Sequence, residues 1–331
     1  MNLIALVIFA FVQTLFIPLA VLGLILIIYK QVYVSRQLGV SPTAVEVING
    51  RWIMHIFGLR EDRVSLQLHR ALPNNSVLGL WLIFFPSYLR YRICGRTYGY
   101  PVIPQQEEEG LSHLVTARTL YFDLLIDKYR NSIEQFVCLG AGFDTRCFSR
   151  LKSCQVHCFE LDKEKTQQLK IASLSKAGID ASHVTFVPVD FAKPHWYEKL
   201  KQAGYDSAKR TMFLWEGVTL YLNEESVRTS LREIRRHSAI GSVVLCDIYA
   251  KSFVEGEYAS GMKSSQVVMK ASGEQFGFGL ELSGDAKLEL TYFMASEGLL
   301  LQDTYLMGAR TKNGIFMAVL EAITIPSDLI Q

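Results

Sequence analysis

From residue 111 onward, short apolar runs alternate with longer segments that have the polarity pattern of helices. Short apolar runs are typical of strands buried on both faces, and connections of helix length join parallel strands. The alternation therefore predicts an α/β fold with a doubly wound, mostly parallel sheet. The predicted parallel strands are Gln135–Leu139, Gln155–Leu161, Val184–Val189, Thr211–Trp215 and Ser242–Tyr249.

Two further apolar runs lie near the C-terminus, Leu299–Tyr305 and Ile315–Ile323, with the turn dipeptide Asn313-Gly314 between them. This pattern predicts an antiparallel C-terminal hairpin. Residues 60–110 are rich in turn-forming residues and are predicted to be irregular. Helices are predicted over Ser41–Leu59, Leu111–Tyr129, Lys163–Lys176, Trp196–Ala203 and Glu224–His237.

The N-terminal run from Leu3 to Tyr29 contains no charged residue. At about 1.5 Å per helical residue it exceeds the roughly 20 residues that cross a bilayer. Lys30 and Arg36 follow it, so the distribution of basic residues predicts a single transmembrane helix with the rest of the chain on the cytoplasmic side. A hairpin that dips into one leaflet is the alternative.

A second apolar run, Val77–Phe85, is too short to cross a membrane, and Arg90 and Arg92 follow it. It has two interpretations. It is either a buried element of the folded domain or an interfacial patch in which Trp81 enters the lipid headgroup region.

The charge balance is nearly neutral, with 34 Lys and Arg against 32 Asp and Glu. A net charge of +2 provides no overall field for binding a polyanion, so we expect no nucleic-acid partner. The six cysteines lack the paired spacing of a zinc site. They predict free thiols, a reducing compartment and no metal site.

Glycines and acidic residues stand where the predicted strands end, and the carboxyl ends of parallel strands meet at one edge of a sheet. Glycines there let the backbone approach a nucleotide closely, and an acid about twenty residues later accepts hydrogen bonds from ribose hydroxyls. These residues are Gly140 and Gly142 after the first strand, Asp162 after the second, Asp190 and Phe191 after the third, and Glu216 after the fourth.

We interpret this edge as the site of an adenosine cofactor, with Asp190 and Phe191 against the adenine. A helix is predicted to begin near Asp144, whose negative charge would repel phosphate, so the ligand is expected to lack phosphates. A ring of carboxylates suits a positively charged cofactor, and S-adenosylmethionine has that charge.

Several of these segments resemble the leucine carboxyl methyltransferase-like group of class I S-adenosylmethionine-dependent methyltransferases, which have a Rossmann-like fold. The similar segments cover roughly residues 41–250, including an N-terminal helix with Ser41, Thr43, Ala44 and Arg51. The others are Ala117-Arg118-Thr119, Phe122-Asp123, LGAGFDTR at 139–146, FELD at 159–162, VPVDF at 187–191 with Trp196, and EGVTLYL at 216–222.

The resemblance implies S-adenosyl-L-methionine as the cofactor and a role for each matching position. Arg118 would hold the methionine carboxylate, Gly140 and Gly142 would pass beneath that group, and Asp162 would bind the ribose. Asp190 and Phe191 would frame the adenine, and Glu216 would reach the methionine amino group. The implied organisation is an anchor over 1–30, a lid and linker region over 31–110 and a methyltransferase domain over 111–331.

Together these features predict a membrane-anchored methyltransferase that methylates an oxygen, a carboxylate or hydroxyl, of a small or lipid-like acceptor. Carboxylates need no catalytic base, whereas a hydroxyl benefits from one, and the candidates are Tyr221, His195 and Asp247. The glycine-rich insert 251–284 suggests a lid over the acceptor. A protein C-terminal carboxylate is the alternative acceptor, and a non-catalytic cofactor-binding membrane module is the alternative from another class.

Overall fold

A computed structural model describes residues 3–97, 100–193, 195–260, 262–263 and 275–326; the side chains of residues 3–6 and 8 are not described. Its centre is a seven-stranded sheet with the spatial order β3-β2-β1-β4-β5-β7-β6. The strands are β1 (Gln135–Leu139), β2 (His157–Asp162), β3 (Val184–Pro188), β4 (Thr211–Trp215), β5 (Val243–Tyr249), β6 (Leu299–Met307) and β7 (Met317–Thr324).

Strands β1 to β5 are parallel, and β7 is antiparallel to both β5 and β6. This confirms the doubly wound, mostly parallel sheet and its antiparallel C-terminal hairpin. Every residue of β1, β4 and β5 is buried, as expected for strands covered on both faces. Strand order reverses at β1, which pairs with β2 on one side and β4 on the other, so a crevice opens at its carboxyl end.

Most predicted helices are present within one to three residues of their expected bounds. After the predicted lid helix, the structure has two helices within 60–110, a segment that was predicted to be irregular apart from the undecided run Val77–Phe85. The helices are α1 (Leu3–Ile28), α2 (Ser35–Leu38), α3 (Pro42–Ile56), α4 (Arg63–Ala71), α5 (Val77–Cys94), α6 (Leu114–Tyr129), α7 (Glu164–Lys176), α8 (Trp196–Gln202), α9 (Glu224–Arg236), α10 (Lys251–Val254) and α11 (Ala286–Ser296).

The prediction of an irregular 60–110 segment was wrong because two helix-capping residues were overlooked. The Asp62 side chain accepts a hydrogen bond from the Ser65 amide at the start of α4. Ser76 caps α5 in the same way by accepting from the Gly79 amide. Gly95, with a left-handed φ of 65°, ends α5.

The helix predicted near Asp144 is also absent, and a single 3-10 turn over Arg146–Phe148 stands in its place. The Asp144 side chain accepts a hydrogen bond from the Arg146 amide at 2.7 Å, which closes a local turn. Both residues are buried and ion-paired, so the chain after β1 supports a charge network instead of a crossover helix.

Among the described residues, one helical stretch, Phe9–Leu38, is long and apolar enough to cross a membrane. Only 6% of its most apolar window is buried, so α1 is largely uncovered by the rest of the chain. A π-helical turn over Tyr29–Val34 joins α1 to α2. All six cysteines are free thiols, as the sequence predicted.

Candidate cofactor site

The loop after β1 places two glycines with left-handed backbone against the end of β2. Gly140 has φ 70° and Gly142 has φ 46°, which favours glycine at both positions. The amides of Gly140 and Ala141 donate to the Leu161 carbonyl at 2.8 and 2.9 Å. The Gly142 amide donates to Asp162 Oδ2 at 2.6 Å. The structure thus brings together the predicted glycines and the predicted ribose-binding aspartate.

We expect Gly140→Ala to destabilise the protein more than Gly178→Ala. Both glycines have nearly the same left-handed φ, 70° and 67°, so each substitution carries a similar backbone strain of about 1–2 kcal/mol. A Cβ at Gly140 would lie 2.3 Å from Val218 Cγ2, whereas one at Gly178 meets nothing within 4 Å. Overpacking adds about 1–3 kcal/mol at Gly140. Equal urea midpoints for the two variants would contradict the tight fit of this loop.

Arg118 on α6 is buried beneath the ends of β4 and β5. Its Nη1 lies 3.2 Å from Asp247 Oδ2 and 2.6 Å from the Tyr249 hydroxyl, and its Nε lies 3.3 Å from Glu216 Oε1. A Cβ on Gly217 would lie 2.9 Å from the guanidinium, so the backbone there runs directly over it. Arg118 and Glu216, predicted to bind the two ends of an amino-acid group, are therefore neighbours.

Asp247 shares this pocket and also accepts a hydrogen bond from the Gly217 amide at 2.7 Å. Burial raises the pKa of Asp247 to about 6, although the nearby Arg118 charge opposes that rise. Its carboxylate is fully buried and engaged with Arg118 and the backbone, which favours a structural role over proton transfer at an open site.

Glu216 is the centre of a buried ion cluster that sequence reasoning did not anticipate. Its Oε2 lies 2.6 Å from Arg146 Nη1 and 3.3 Å from Arg51 Nη2, and the same two arginines hold Asp144 at 2.6 and 2.8 Å. Burial alone would raise the pKa of Glu216, but Arg146, Arg51 and Arg118 more than offset it, and the pKa is below its ordinary value.

This cluster corrects the argument from Asp144. Its carboxylate is 8% exposed and is paired with two guanidinium groups, so it presents no free charge that would repel a phosphate. The preference for a phosphate-free ligand therefore has no support from Asp144. Within the predicted ring of carboxylates, the charge of Glu216 is likewise balanced by the buried Arg51, Arg118 and Arg146.

The cluster continues beneath the site through Asp123 on α6. Arg146 Nε lies 2.7 Å from Asp123 Oδ1, while Arg60 Nε and Arg150 Nη2 lie 2.6 and 2.8 Å from Oδ2. Burial opposes ionisation, but these three arginines hold the pKa of Asp123 well below its usual range. The signal in the sequence was a single charge within the apolar run 121–126 (YFDLLI) of this helix, because a charge that becomes buried needs a partner.

Helix α3, the predicted lid helix, contributes to the site directly. Arg51 forms ion pairs with Asp144 and Glu216. About two helical turns earlier, Ala44 lies against the glycine loop, because a Cβ on Gly142 would be 3.5 Å from Ala44 Cβ. The resemblance included both Ala44 and Arg51 but assigned neither a role. The helix therefore covers the glycine loop and is held to it by charge.

The end of β3 lies at the same edge. Asp190 accepts a hydrogen bond from the Ala192 amide at 3.1 Å. The Phe191 ring is buried, with its centroid 5.8 Å from Trp196 and 6.1 Å from Trp215. An aromatic wall with an adjacent acid stands where the adenine was predicted.

The weak catalytic candidates are placed differently. Tyr221 lies in a 3-10 turn over Thr219–Tyr221, and its ring centroid is 5.7 Å from that of Phe276. His195 is exposed, has φ 71° and precedes α8. Of the insert 251–284, residues 261 and 264–274 lie outside the described residues. The Gly277 amide donates to the Leu220 carbonyl at 2.7 Å, so this part of the insert packs on the Tyr221 turn.

The site fits a group that has both a carboxylate and an ammonium. Within the described part of the chain, the buried Arg118 Nε and Glu216 Oε1 form an ion pair but have no hydrogen-bond partner, and Arg51 Nε, Arg51 Nη1 and Asp247 Oδ1 also have none. Unpaired buried polar atoms are costly unless a ligand satisfies them. No group of three His, Cys, Asp or Glu residues suited to a metal ion occurs among the described residues.

Residues 101–235 match the family model described as leucine carboxyl methyltransferase. A Bacillus subtilis protein named as a proposed S-adenosyl-L-methionine-dependent methyltransferase, YktD, is 33% identical over 175 residues, which are 51% of this chain and 55% of that protein. A Mycobacterium tuberculosis protein with the same kind of name is 32% identical over 141 residues, 42% of this chain and 43% of its own length. The chain spans about half the length of these curated relatives.

A solved structure of a DUF574 family protein from Streptomyces avermitilis has a TM-score of 0.48 and 14% identity, and it covers 65% of this chain and 85% of that one. The family match confirms the resemblance that the sequence predicted. The names of the relatives agree with the predicted enzyme class and cofactor.

Proposed function

Residues 101–235 match the leucine carboxyl methyltransferase family, and from this premise we propose that the chain is an S-adenosylmethionine-dependent methyltransferase. The observation that carries the proposal is the contact between the Gly142 amide and Asp162 at the carboxyl ends of β1 and β2. That contact joins a close-approach loop to a ribose-binding acid at the point where strand order reverses.

Each candidate residue has a defined task in this proposal. Asp162 accepts two backbone amides, from Gly142 and Lys163, and a carboxylate has about four acceptor positions, so two remain for the ribose hydroxyls. Arg118 binds the methionine carboxylate, and Glu216 accepts from the ammonium. Gly140 and Gly142 pass beneath that group, and Asp190 and Phe191 frame the adenine.

When bound, the cofactor supplies an electrophilic methyl group on a sulfonium, which leaves readily. The chain's residues then align an acceptor oxygen with that methyl carbon and exclude water. The Phe276 ring centroid lies 5.7 Å from that of Tyr221 and 5.7 Å from that of Phe253. These three rings form an apolar wall beside Tyr249, which contacts Arg118. Tyr221 and His195 remain the candidate bases for a hydroxyl acceptor, whereas a carboxylate needs none.

The acceptor in this proposal is a small or lipid-like molecule methylated on oxygen. Helix α1 supports this, because a catalytic domain held at a membrane by an uncovered apolar helix meets membrane-partitioned acceptors at a raised local concentration. Residues 111–331 form the methyltransferase domain, 31–110 the lid and linker, and 1–30 the anchor, with the domain on the cytoplasmic side. A protein C-terminal carboxylate is the alternative acceptor.

Calorimetric titration of the full chain in detergent tests the proposal. We expect binding of S-adenosylmethionine and no binding of NADH, the cofactor of nicotinamide-dependent oxidoreductases, which are the other enzyme class that uses a fold of this kind. Transfer of a labelled methyl group to an acceptor in a membrane lipid extract should follow. Binding without any transfer to lipids, small molecules or protein extracts would favour the non-catalytic module. Absence of binding by a chain with intact secondary structure would overturn the proposal.

A further inference from the structure

Helix α5 packs antiparallel along α1 over most of the length of both helices. Near one end, a Cβ on Gly23 would lie 2.6 Å from the Gly79 carbonyl oxygen, so the two backbones are in close contact. Further along, the Phe16 and Phe85 rings stack at 5.4 Å, and the Arg90 guanidinium lies 4.5 Å above the Phe9 ring. Residue numbers rise along α5 as they fall along α1 in these three pairs, so the two helices are antiparallel.

The opposite side of α5 packs against the folded body. The Trp81 ring centroid lies 5.1 Å from that of Trp52 on α3, and the Phe57 centroid lies 6.5 Å from Phe84 and 5.6 Å from Tyr91. A Cβ on Gly58 would lie 2.6 Å from the Tyr91 hydroxyl. Helix α5 is therefore a layer between α1 and the end of α3.

This layering places the folded body beside α1, over the stretch from Gly23 back to Phe9. The distance along α1 from Phe9 to Ile28 is about 28 Å, nearly the thickness of the hydrocarbon core. Shortly after Phe57 the chain carries Glu61 and Arg63, whose side chains are 79% and 82% exposed. A crossing α1 would draw this charged part of the body to membrane depth, where exposed charges cost several kcal/mol each.

An orientation in the membrane plane avoids that cost. Helix α1 is apolar on all sides, with side chains such as Phe11, Leu15 and Leu22 between 48% and 65% exposed. Between the side of α5 that contacts α1 and the side that contacts the body, a further side has exposed apolar residues. These are Leu78, Phe85, Leu89 and Ile93. Its second half also carries Arg90 and the exposed Arg92, which donates to the Tyr88 hydroxyl at 3.2 Å. Arginine and tyrosine are typical of headgroup depth, and the positive charge complements anionic lipid.

We infer that α1 lies within one leaflet of an anionic bilayer, parallel to its surface, with α5 at headgroup depth between α1 and the folded body. The inference rests on the proposed membrane attachment. It replaces the single transmembrane helix with a helix that enters only one leaflet. Both ends of the chain then lie on the same side. A lipid-like acceptor in that leaflet reaches the body without leaving the membrane.

Spin-label depth measurements on the full chain in phosphatidylcholine vesicles containing one quarter phosphatidylserine test the orientation. Cys94 and Cys154 are first replaced by serine, because they are partly exposed and would react with the label. The other four cysteines are buried and are kept. Labels are then placed singly by Ile17→Cys and Ile28→Cys, two exposed positions on nearly the same helical face. Arg63→Cys is the control on the body.

For α1 in the membrane plane, the labels at 17 and 28 should lie at nearly equal hydrocarbon depth, and the label at 63 should stay in water. A crossing helix would place position 17 near the bilayer centre and position 28 about 16 Å closer to the headgroups, which would overturn the inference but keep the attachment. Labels shielded from both lipid and water would indicate a second copy of the chain on α1 and would also overturn it. Labels at 17 and 28 in water would remove the membrane attachment, while the cofactor titration judges the methyltransferase separately.

Discussion

Replacing Arg146 with methionine is expected to lower the free energy of unfolding by about 3–5 kcal/mol at pH 7. The guanidinium is fully buried and holds Asp123, Asp144 and Glu216 at 2.6–2.7 Å. Methionine conserves much of the volume but none of the hydrogen bonds, so three buried carboxylates lose a partner at once. Urea unfolding of the full chain in detergent, followed by circular dichroism, measures the loss.

Arg150→Met is the matched control for this variant. Arg150 also contacts Asp123, at 2.8 Å, but its side chain is 24% exposed and it lies at the rim of the cluster. Exposed ion pairs contribute about 0–1 kcal/mol, so the control should lose far less stability. Equal losses for the two variants would mean that burial of the Arg146 charge network does not govern stability.

The same variant should depend on pH in a defined direction. The pKa values of Asp123 and Glu216 are lowered in the folded protein, so their ion pairs stabilise it above the carboxyl pKa values of the unfolded chain. That stability is lost as the pH falls through the lowered folded values. Arg146→Met removes the cause of the lowering, so the difference in unfolding free energy between variant and wild type should narrow as the pH falls below about 4.

The sheet and its edge were predictable because they depend on local patterns. Apolar runs of strand length located β1, β4 and β5, and the glycines at 140 and 142 marked the left-handed loop that follows β1. The same logic placed Asp162 beside that loop, since parallel strands bring their carboxyl ends together. Such features follow from residues that are close in sequence or from the geometry common to all parallel sheets.

The ion cluster was not predictable in the same way, because its members come from four separate elements. Arg51 lies on α3, Asp123 on α6, Arg146 after β1 and Glu216 after β4. Sequence spacing does not indicate that their side chains converge, and only their isolation among apolar residues hinted at buried partners. Helix α5 was assigned only in part: its first half, Val77–Phe85, was left open between a buried element and an interfacial patch, and the helix continues through the buried Pro86.

The position of α1 shows what a composition argument omits. The uncharged run was correctly identified as a long apolar helix, and the rule for basic flanking residues then favoured a crossing. That rule treats the run as an isolated helix. The contacts of Gly23, Phe16 and Phe9 with α5 tie it to the folded body along its length, and this tertiary packing determines which orientations a membrane allows.

Replacing Asp162 with alanine is expected to weaken S-adenosylmethionine binding by about 100-fold or more. In the proposed binding mode, the variant would lose two charge-assisted hydrogen bonds to the ribose hydroxyls, each worth about 1.5–3 kcal/mol. It would also lose the hydrogen bond from the Gly142 amide, which holds the glycine loop against the end of β2. Asp162→Asn keeps one acceptor oxygen and should show an intermediate loss in the same calorimetric titration.

Asp303→Ala is the matched control, because it removes the same local bond at a distant place. Asp162 Oδ1 accepts from the Lys163 amide at 2.6 Å, and Asp303 Oδ1 accepts from the Thr304 amide at 2.8 Å. Asp303 lies on the edge strand β6, away from the carboxyl ends of β1 and β2, so its loss should leave cofactor affinity unchanged. If Asp162→Ala and Asp303→Ala bind S-adenosylmethionine equally well, Asp162 does not bind the ribose. The crevice at the β1–β4 switch point would then not be the cofactor site.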